Sequence, residues 1–467
     1  MDMATTQQKR SLRKLTFGAA AVGALASASL ATPAQAQSSD ALLNKLVEKG
    51  VLTVKEANDL KQETDQDFTK AYQVKTGLPD WVTSLKLTGD FRGRVENFRT
   101  DFGGNVDRTR YRYRLRFGPI ITLKDDFEIG LRLASADANG GFGGNPLSGN
   151  TTLADGASRK FVYIDAAYAK WTPVHNDTWN LSATIGKMDN PFKTSWMVWD
   201  PDYQPEGAGF QGIYRFSDKQ ALRLNGGLFV LDELNQPTLA NPASSHDPYV
   251  YGAQLIWEAK WTPKIETAFG VSAFSIASKE NLDNLSVPNV NEGNTRNGAG
   301  ILVYNYNPIV GSAALTYTLE TFPFYKGAFP VRLAGEFMNN PGVPTQNEGY
   351  NFGVTFGKSS GKGTWEIFYR YQSLGADAWY EEVVDDDNSG FWRYNGTVGG
   401  GSYDPASFTG AIKGGTNIKG HLFRLGYGLT DSLNFNFTFY MNDLIHPIQP
   451  YAGATAMHLM ADMLWRF

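Results

Sequence analysis

The sequence predicts an all-β fold: a transmembrane antiparallel β-barrel of sixteen strands behind a short N-terminal helical segment. Three observations carry that reading. First, the chain ends on an alternating strand. Phe467, Trp465, Met463, Ala461, Leu459 and Met457 form an apolar face with an aromatic end, and Arg466, Leu464, Asp462, Met460 and His458 form a mixed face. A lipid-spanning strand needs that division, with apolar side chains outward, polar ones to the lumen and aromatics at the interface. Second, the N-terminus is built for export, and no later stretch reaches the roughly 18 to 20 unbroken apolar residues of a spanning helix. Third, from Trp81 onward segments near ten residues long alternate with period two, as barrel strands do.

Lys9, Arg10, Arg13 and Lys14 form a basic n-region, Leu15 to Leu30 is small and apolar, and Ala34-Gln35-Ala36 is a cleavage signal. Residues 1–36 are therefore expected to be a signal peptide, with the mature chain starting at Gln37. Residues 37–80 read as a periplasmic helical segment and connector. Asp40 caps one helix to about Glu48, and the Thr53 to Glu56 capping box opens a second to about Gln62. So small a pair buries little by itself. It is expected to dock on the barrel base, a sister subunit or the cell wall, with a poorly ordered tether as the alternative.

Residues 81–467 are expected to form the barrel. Leu85, Leu87, Phe91 and Val95 alternate with Lys86, Asp90, Arg92, Arg94 and Glu96. Tyr111, Tyr113, Leu115 and Phe117 alternate with Arg110, Arg112, Arg114 and Arg116, and Leu433 to Asn442 repeats the scheme. The expected strands are 82–97, 109–122, 126–136, 160–171, 178–188, 208–216, 220–232, 249–261, 264–277, 310–320, 329–339, 348–358, 363–373, 419–429, 433–443 and 455–467. Residues 300–309 read equally as strand or loop. Short connections such as Lys124-Asp125 and Thr262-Pro263 fall between long ones near 137–159, 189–207, 232–248, 279–309 and 374–418. A barrel has that asymmetry between its periplasmic and extracellular ends.

Composition narrows the chemistry. Removing residues 1–36 takes away four basic residues and one acid, moving the formal charge from −4 to −7. A nucleic-acid binder shows the opposite balance. The chain has no cysteine, which excludes thiol chemistry and Cys-ligated clusters. Its five histidines show no metal-ligand spacing, and no catalytic set stands out. No enzyme activity and no cofactor are expected.

The densest ionic feature is the run Arg108 to Arg116, with Arg92 and Arg94 one strand away. In lipid each guanidinium would cost roughly 2 to 4 kcal/mol at mid-membrane, so they are placed in the lumen. Arg92, Arg94, Arg110, Arg112, Arg114, Arg116, Glu128 and Arg132 are the expected pore-lining residues. Two readings of the ladder stand together: a positive field for permeating ions, and a wall network with Asp90, Glu96, Glu128 and Asp462. The aromatic, proline-containing loop holding Asn190, Phe192, Trp199, Asp200, Asp202 and Glu206 is read as a constriction loop or an external cover. The acidic run Glu381, Glu382, Asp385, Asp386 and Asp387 suits calcium in residue type. It lacks an EF-hand pattern, so a hydrated surface patch is expected. Gly357-Lys358-Ser359 closes an alternating strand and reads as a turn, not as a phosphate loop.

The strand Arg108 to Arg116, the stretch Gly186-Lys187-Met188-Asp189-Asn190-Pro191-Phe192, and Trp199-Asp200 through Pro205-Glu206-Gly207 resemble the putative porin family of Gram-negative outer-membrane β-barrels. Asn339-Asn340, the Gly357-Lys358 turn and Phe467 are similar too. The resemblance implies an outer-membrane channel, often a homotrimer, without naming a solute. Such a barrel would contact membrane lipids and lipopolysaccharide. The expected function is passive diffusion of small hydrophilic solutes or ions. The alternative is a closed-lumen structural or binding barrel linking envelope components.

Overall fold

The computed structural model describes residues 78–467 apart from 102–106, 139–142, 155, 235–245, 283–292, 298–300, 389–390, 393–411, 414, 447–452 and 454. The signal peptide and the two expected helices within 37–80 lie outside the described residues.

Sixteen strands form the barrel: β1 (Val82–Thr100), β2 (Arg108–Leu123), β3 (Phe127–Ala136), β4 (Phe161–His175), β5 (Trp179–Lys187), β6 (Glu206–Ser217), β7 (Gln220–Val230), β8 (Tyr249–Lys260), β9 (Ile265–Ala277), β10 (Ile309–Leu319), β11 (Phe329–Asn339), β12 (Glu348–Gly357), β13 (Trp365–Leu374), β14 (Ile418–Gly428), β15 (Leu433–Leu444) and β16 (Thr455–Arg466). Each pairs antiparallel with its sequence neighbours, and β1 pairs with β16, so the sheet closes. The closing register runs from Asp90↔Arg466 to Thr100↔Ala456. Closure leaves few unpaired N–H and C=O groups facing lipid, which only closed barrels and helices achieve.

The strands form where the period-two pattern predicted them. Leu87, Val95, Tyr111, Ile185, Leu224, Phe269, Leu333, Phe352 and Leu425 are all exposed on the outer face. Glu96, Asn225, Gln254, Asn351, Asn442 and His458 on the opposite parity are buried. Such an outer belt would be costly in water and is favourable in lipid. Among the described residues of 300–309, Ile309 alone belongs to a strand. Phe274 and Ile276 still donate to the carbonyls of Pro308 and Tyr306, both at 3.0 Å. Pro308 has no N–H to return, so the ladder ends there.

Connections alternate by end. Lys124–Asp126 joins β2 to β3, residues 176–178 join β4 to β5, and Asp218-Lys219 joins β6 to β7. At the other end lie 137–160, 188–205, 231–248, 278–308 and 375–417. The described residues of three of these connections pack against one side of the lumen. Met197, Val198, Trp199, Leu302, Tyr306, Trp379 and Val383 pack with the inward Phe229, Phe274, Val310, Met338 and Leu374 in one apolar cluster. The interior apolar core therefore sits at the long-loop end, against β7 to β13.

Candidate channel constriction

The arginine ladder is set by register. Across β1 and β2, Asp90 faces Arg116, Arg92 faces Arg114, Arg94 faces Arg112, and Glu96 faces Arg110. Two like-charged pairs thus sit between two opposite-charged ones, and the central guanidiniums need further carboxylates. Arg94 is held by Asp462 of β16, with Nε to Oδ1 at 2.8 Å and Nη2 to Oδ2 at 3.0 Å. It also lies 3.3 Å from Asp387. Arg114 reaches Asp90 and Asp202, each at 3.0 Å. Arg116 contacts Asp90 at 2.9 Å, and Arg110 and Arg112 share Glu96. Arg92 donates to Asn150 Oδ1 at 2.7 Å and has no carboxylate partner among the described residues. Arg132 pairs with Asp165 and Asp189. Glu128 does not join the ladder: it accepts from the Tyr168 hydroxyl at 2.8 Å.

The loop 188–205 folds inward. Its base closes through Met188 N–H to Pro205 O at 3.0 Å. Asn190 Oδ1 accepts the Phe192 N–H at 3.0 Å, a side-chain turn of the kind asparagine favours. Phe192 and Trp199 are buried against Phe274, with ring centroids 5.0 Å and 5.6 Å away. Wall residues receive the backbone. Gln254 of β8 pairs both ways with Lys193, at 2.8 Å and 2.9 Å, and Glu336 of β11 accepts Ser195 N–H at 2.8 Å. The ring of Trp196 lies over the guanidiniums of Arg370 and Arg424, at 5.6 Å and 5.3 Å. Beyond it, Asp202 reaches the β2 arginines. The loop therefore runs from the β8–β12 wall to the ladder. Glu206 is not brought to its tip. It begins β6 at the loop base and receives Lys187 Nζ at 2.9 Å.

The acidic run corrects an expectation. It is not a hydrated patch: Glu381, Glu382 and Asp385 are buried. Segment 375–388 turns inward and meets the first loop. Trp379 Nε1 donates to Val198 O at 2.9 Å, Asp200 N–H to Val383 O at 2.8 Å, and Asp385 N–H to Trp196 O at 3.1 Å. The carboxylates diverge to different partners: Glu381 to Arg296, Asp385 to the Tyr440 hydroxyl, Asp387 to Arg94. They do not converge as calcium ligands must. Glu96, Asp387 and His458 come together, but Arg110, Arg112 and Arg94 already occupy those carboxylates, which disfavours a metal ion.

Electrostatics follow from this seam. Burial, with Asp386, Asp385 and Asp202 nearby, holds the Asp200 carboxyl well above the usual carboxylate range. Burial, Asp387 and Asp386 push Asp385 up to about 8 against the opposing Arg370. Burial also raises Asp202, but Arg114, Arg92, Arg116 and Arg94 outweigh it and hold that carboxyl below its ordinary value.

Sequence reasoning missed as anchors Gln254, Glu336, Asn351, which donates to Ser195 Oγ at 3.0 Å, Asn294, whose Oδ1 accepts the Glu381 N–H at 2.9 Å, and Arg296. Gln254, Glu336 and Asn351 carried one signal, polar residues on the inward parity. Asn294 and Arg296 sit in a long loop and carried none.

The geometry defines a transmembrane β-barrel with a polar wall and inward-folded loops. Residues 102–295 match the family described as "Putative porin". The chain is similar in structure to a triple mutant of Rhodopseudomonas blastica porin, at 11% identity and TM-score 0.40, over 82% of this chain and 100% of that one. It is similar to Pseudomonas putida OprB at 10% identity and TM-score 0.48, over 86% of this chain and 97% of that one. No curated protein matches the chain. The closed barrel together with that match places the chain in the outer membrane of a Gram-negative bacterium, in passive transport.

Proposed function

We infer that this protein is a porin through which small hydrophilic solutes or ions diffuse without ATP or ion coupling. One observation carries the reading: a closed sixteen-strand barrel with a polar inner face is crossed by a loop whose Asp202 reaches the opposite arginines. Barrels of this size enclose an aqueous lumen. Arg92, Arg94, Arg110, Arg112, Arg114, Arg116, Glu128 and Arg132 are proposed as pore-lining. Asn190, Phe192, Trp199, Asp200 and Asp202 are proposed as the constriction, with Glu206 at its base. Planar-bilayer recording tests this. Discrete conductance steps are expected, and folded protein that inserts without steps would sink the channel and favour the closed-lumen barrel.

We also propose a signal peptide at 1–36, a periplasmic segment at 37–80 and a homo-oligomer, the trimer that the family resemblance implies. Association has support in β4. Its pairing with β5 starts at Ala167↔Lys187, so Phe161 to Ala166 have no strand partner on that side among the described residues. Phe161, Val162 and Ile164 are exposed there. An open strand edge is stable in a membrane only when protein covers it. Mass measurement in mild detergent decides this, and a strict monomer would count against it.

A further inference from the structure

Near the base of the inward-folded loop, at the long-loop end, lies a cavity of about 280 Å³. Its aromatic wall is Tyr203 and Tyr380. Among the described residues its charged lining is Glu206, Asp232, Glu233, Glu382 and Lys187. Gln204 lines the same cavity and is buried, yet its amide oxygen Oε1 accepts no hydrogen bond from the described residues. A buried acceptor without a donor is uncommon in folded proteins and asks for one. A second cavity of about 580 Å³ shares Pro146, Lys187, Gln204 and Glu206 with the first and extends to Asp165 and Asp202.

We propose that this cavity is a binding site for solutes carrying a primary alkylammonium group, the first station on the route to the constriction. Three features select that chemistry. Carboxylates supply the counter-charge. The two tyrosines supply π faces, which attract cations within about 6 Å of the ring centre. The orphan Gln204 oxygen accepts one ammonium N–H. Lys187 already shows the arrangement: its ammonium is held by Gln204 O at 3.0 Å and Glu206 Oε1 at 2.9 Å. A carboxylate solute would meet the exposed Glu233 and the Gln204 acceptor, and is disfavoured. The site is separate from the arginine ladder and opposite to it in sign.

This deepens the porin reading by naming a solute class, but binding itself needs no conduction. The test is calorimetric titration of the full, folded chain in detergent with n-butylammonium chloride, and with sodium butyrate as the anionic control. Saturable butylammonium binding is expected, with no heat from butyrate. Gln204→Met and Glu233→Gln should each weaken binding about fivefold or more, and both together further. Glu233 is exposed, so its variant reads the site even where Gln204→Met disturbs the loop. Lys187→Met should tighten binding by removing the resident ammonium. No butylammonium binding, equal binding of butyrate, or unchanged affinity in Glu233→Gln would overturn the site. A barrel that binds butylammonium but gives no conductance steps would overturn the porin reading and keep the site.

Discussion

At the residue scale, the ladder separates two arginines that the sequence could not tell apart. Arg92 and Arg94 lie on one face of β1, but Arg94 is buried on a bidentate Asp462 and beside Asp387. Removing one partner of a buried pair costs ~3–5 kcal/mol, because the other charge is stranded. Arg92 has an amide partner and no carboxylate partner among the described residues, a hydrogen bond to a charged group worth about 1.5–3 kcal/mol. Arg94→Gln should therefore lower resistance to denaturant strongly. Arg92→Gln should lower it less and shift reversal potential toward cations, more so at low salt where screening is weaker. An unchanged reversal potential in a folded, conducting Arg92→Gln would remove the ladder from permeation. Gly89 is a second case. Its backbone pairs with Phe467 in both directions, at 2.9 Å and 3.0 Å, and a Cβ there would sit 2.5 Å from the Arg116 carbonyl oxygen and 2.6 Å from the Phe467 ring. Gly89→Leu should destabilise closure by ~1–3 kcal/mol, the usual range for overpacking. Heat-modified gel mobility reads it, and wild-type resistance would contradict it. The pattern at Phe467 pointed to a barrel, but only the register shows that Gly89 makes room for the last ring.

At the element scale, strands were legible and loop destinations were not. Lipid forces one parity to be apolar along every strand, and that repeats in the sequence. Where a loop goes depends on single wall residues such as Gln254 and Glu336, far away in sequence. The acidic run misled for the same reason: its partners Arg94, Arg296 and Tyr440 come from three other elements. The seam between the two inward loops titrates. Asp200 and Asp385 have raised values when docked, against about 3.9 for a free aspartate. The docked state therefore holds more protons, so docking is strongest near pH 4 and weakens as pH rises toward about 8. Asp202 and Asp387 have lowered values, so their pairs with Arg114 and Arg94 are kept above pH ~4 and lost below it. Open-channel noise should rise from pH 5 to pH 8.5. The double variant Asp200→Asn with Asp385→Asn should show much less of that rise. A wild-type trace that is flat over this range would refute the seam.

At the scale of the whole molecule, the sixteen described strands close into one sheet. Among the described residues β1 begins at Val82 and closes on β16, whose last paired residue is Arg466. The even strand count puts both barrel termini at the short-turn end, which the sequence showed through its alternating connections. The unpaired upper edge of β4 was not legible, because it arises where β5 stops at Lys187 and its loop turns inward. These two facts assign different roles to different parts. Closure should depend on strands alone, and association should depend on covering the β4 edge. A chain beginning at Pro79 should therefore refold in detergent to a heat-resistant barrel with wild-type conductance steps. Lysines at Val162 and Ile164 should leave a single barrel folded, since charge near a membrane interface costs only about 0–1 kcal/mol. They should break the oligomer, read as a drop in particle mass. If the shortened chain fails to fold, residues before Pro79 are part of the barrel's stability. If the Val162→Lys, Ile164→Lys chain keeps its oligomeric mass, the β4 edge is covered by something other than a second copy.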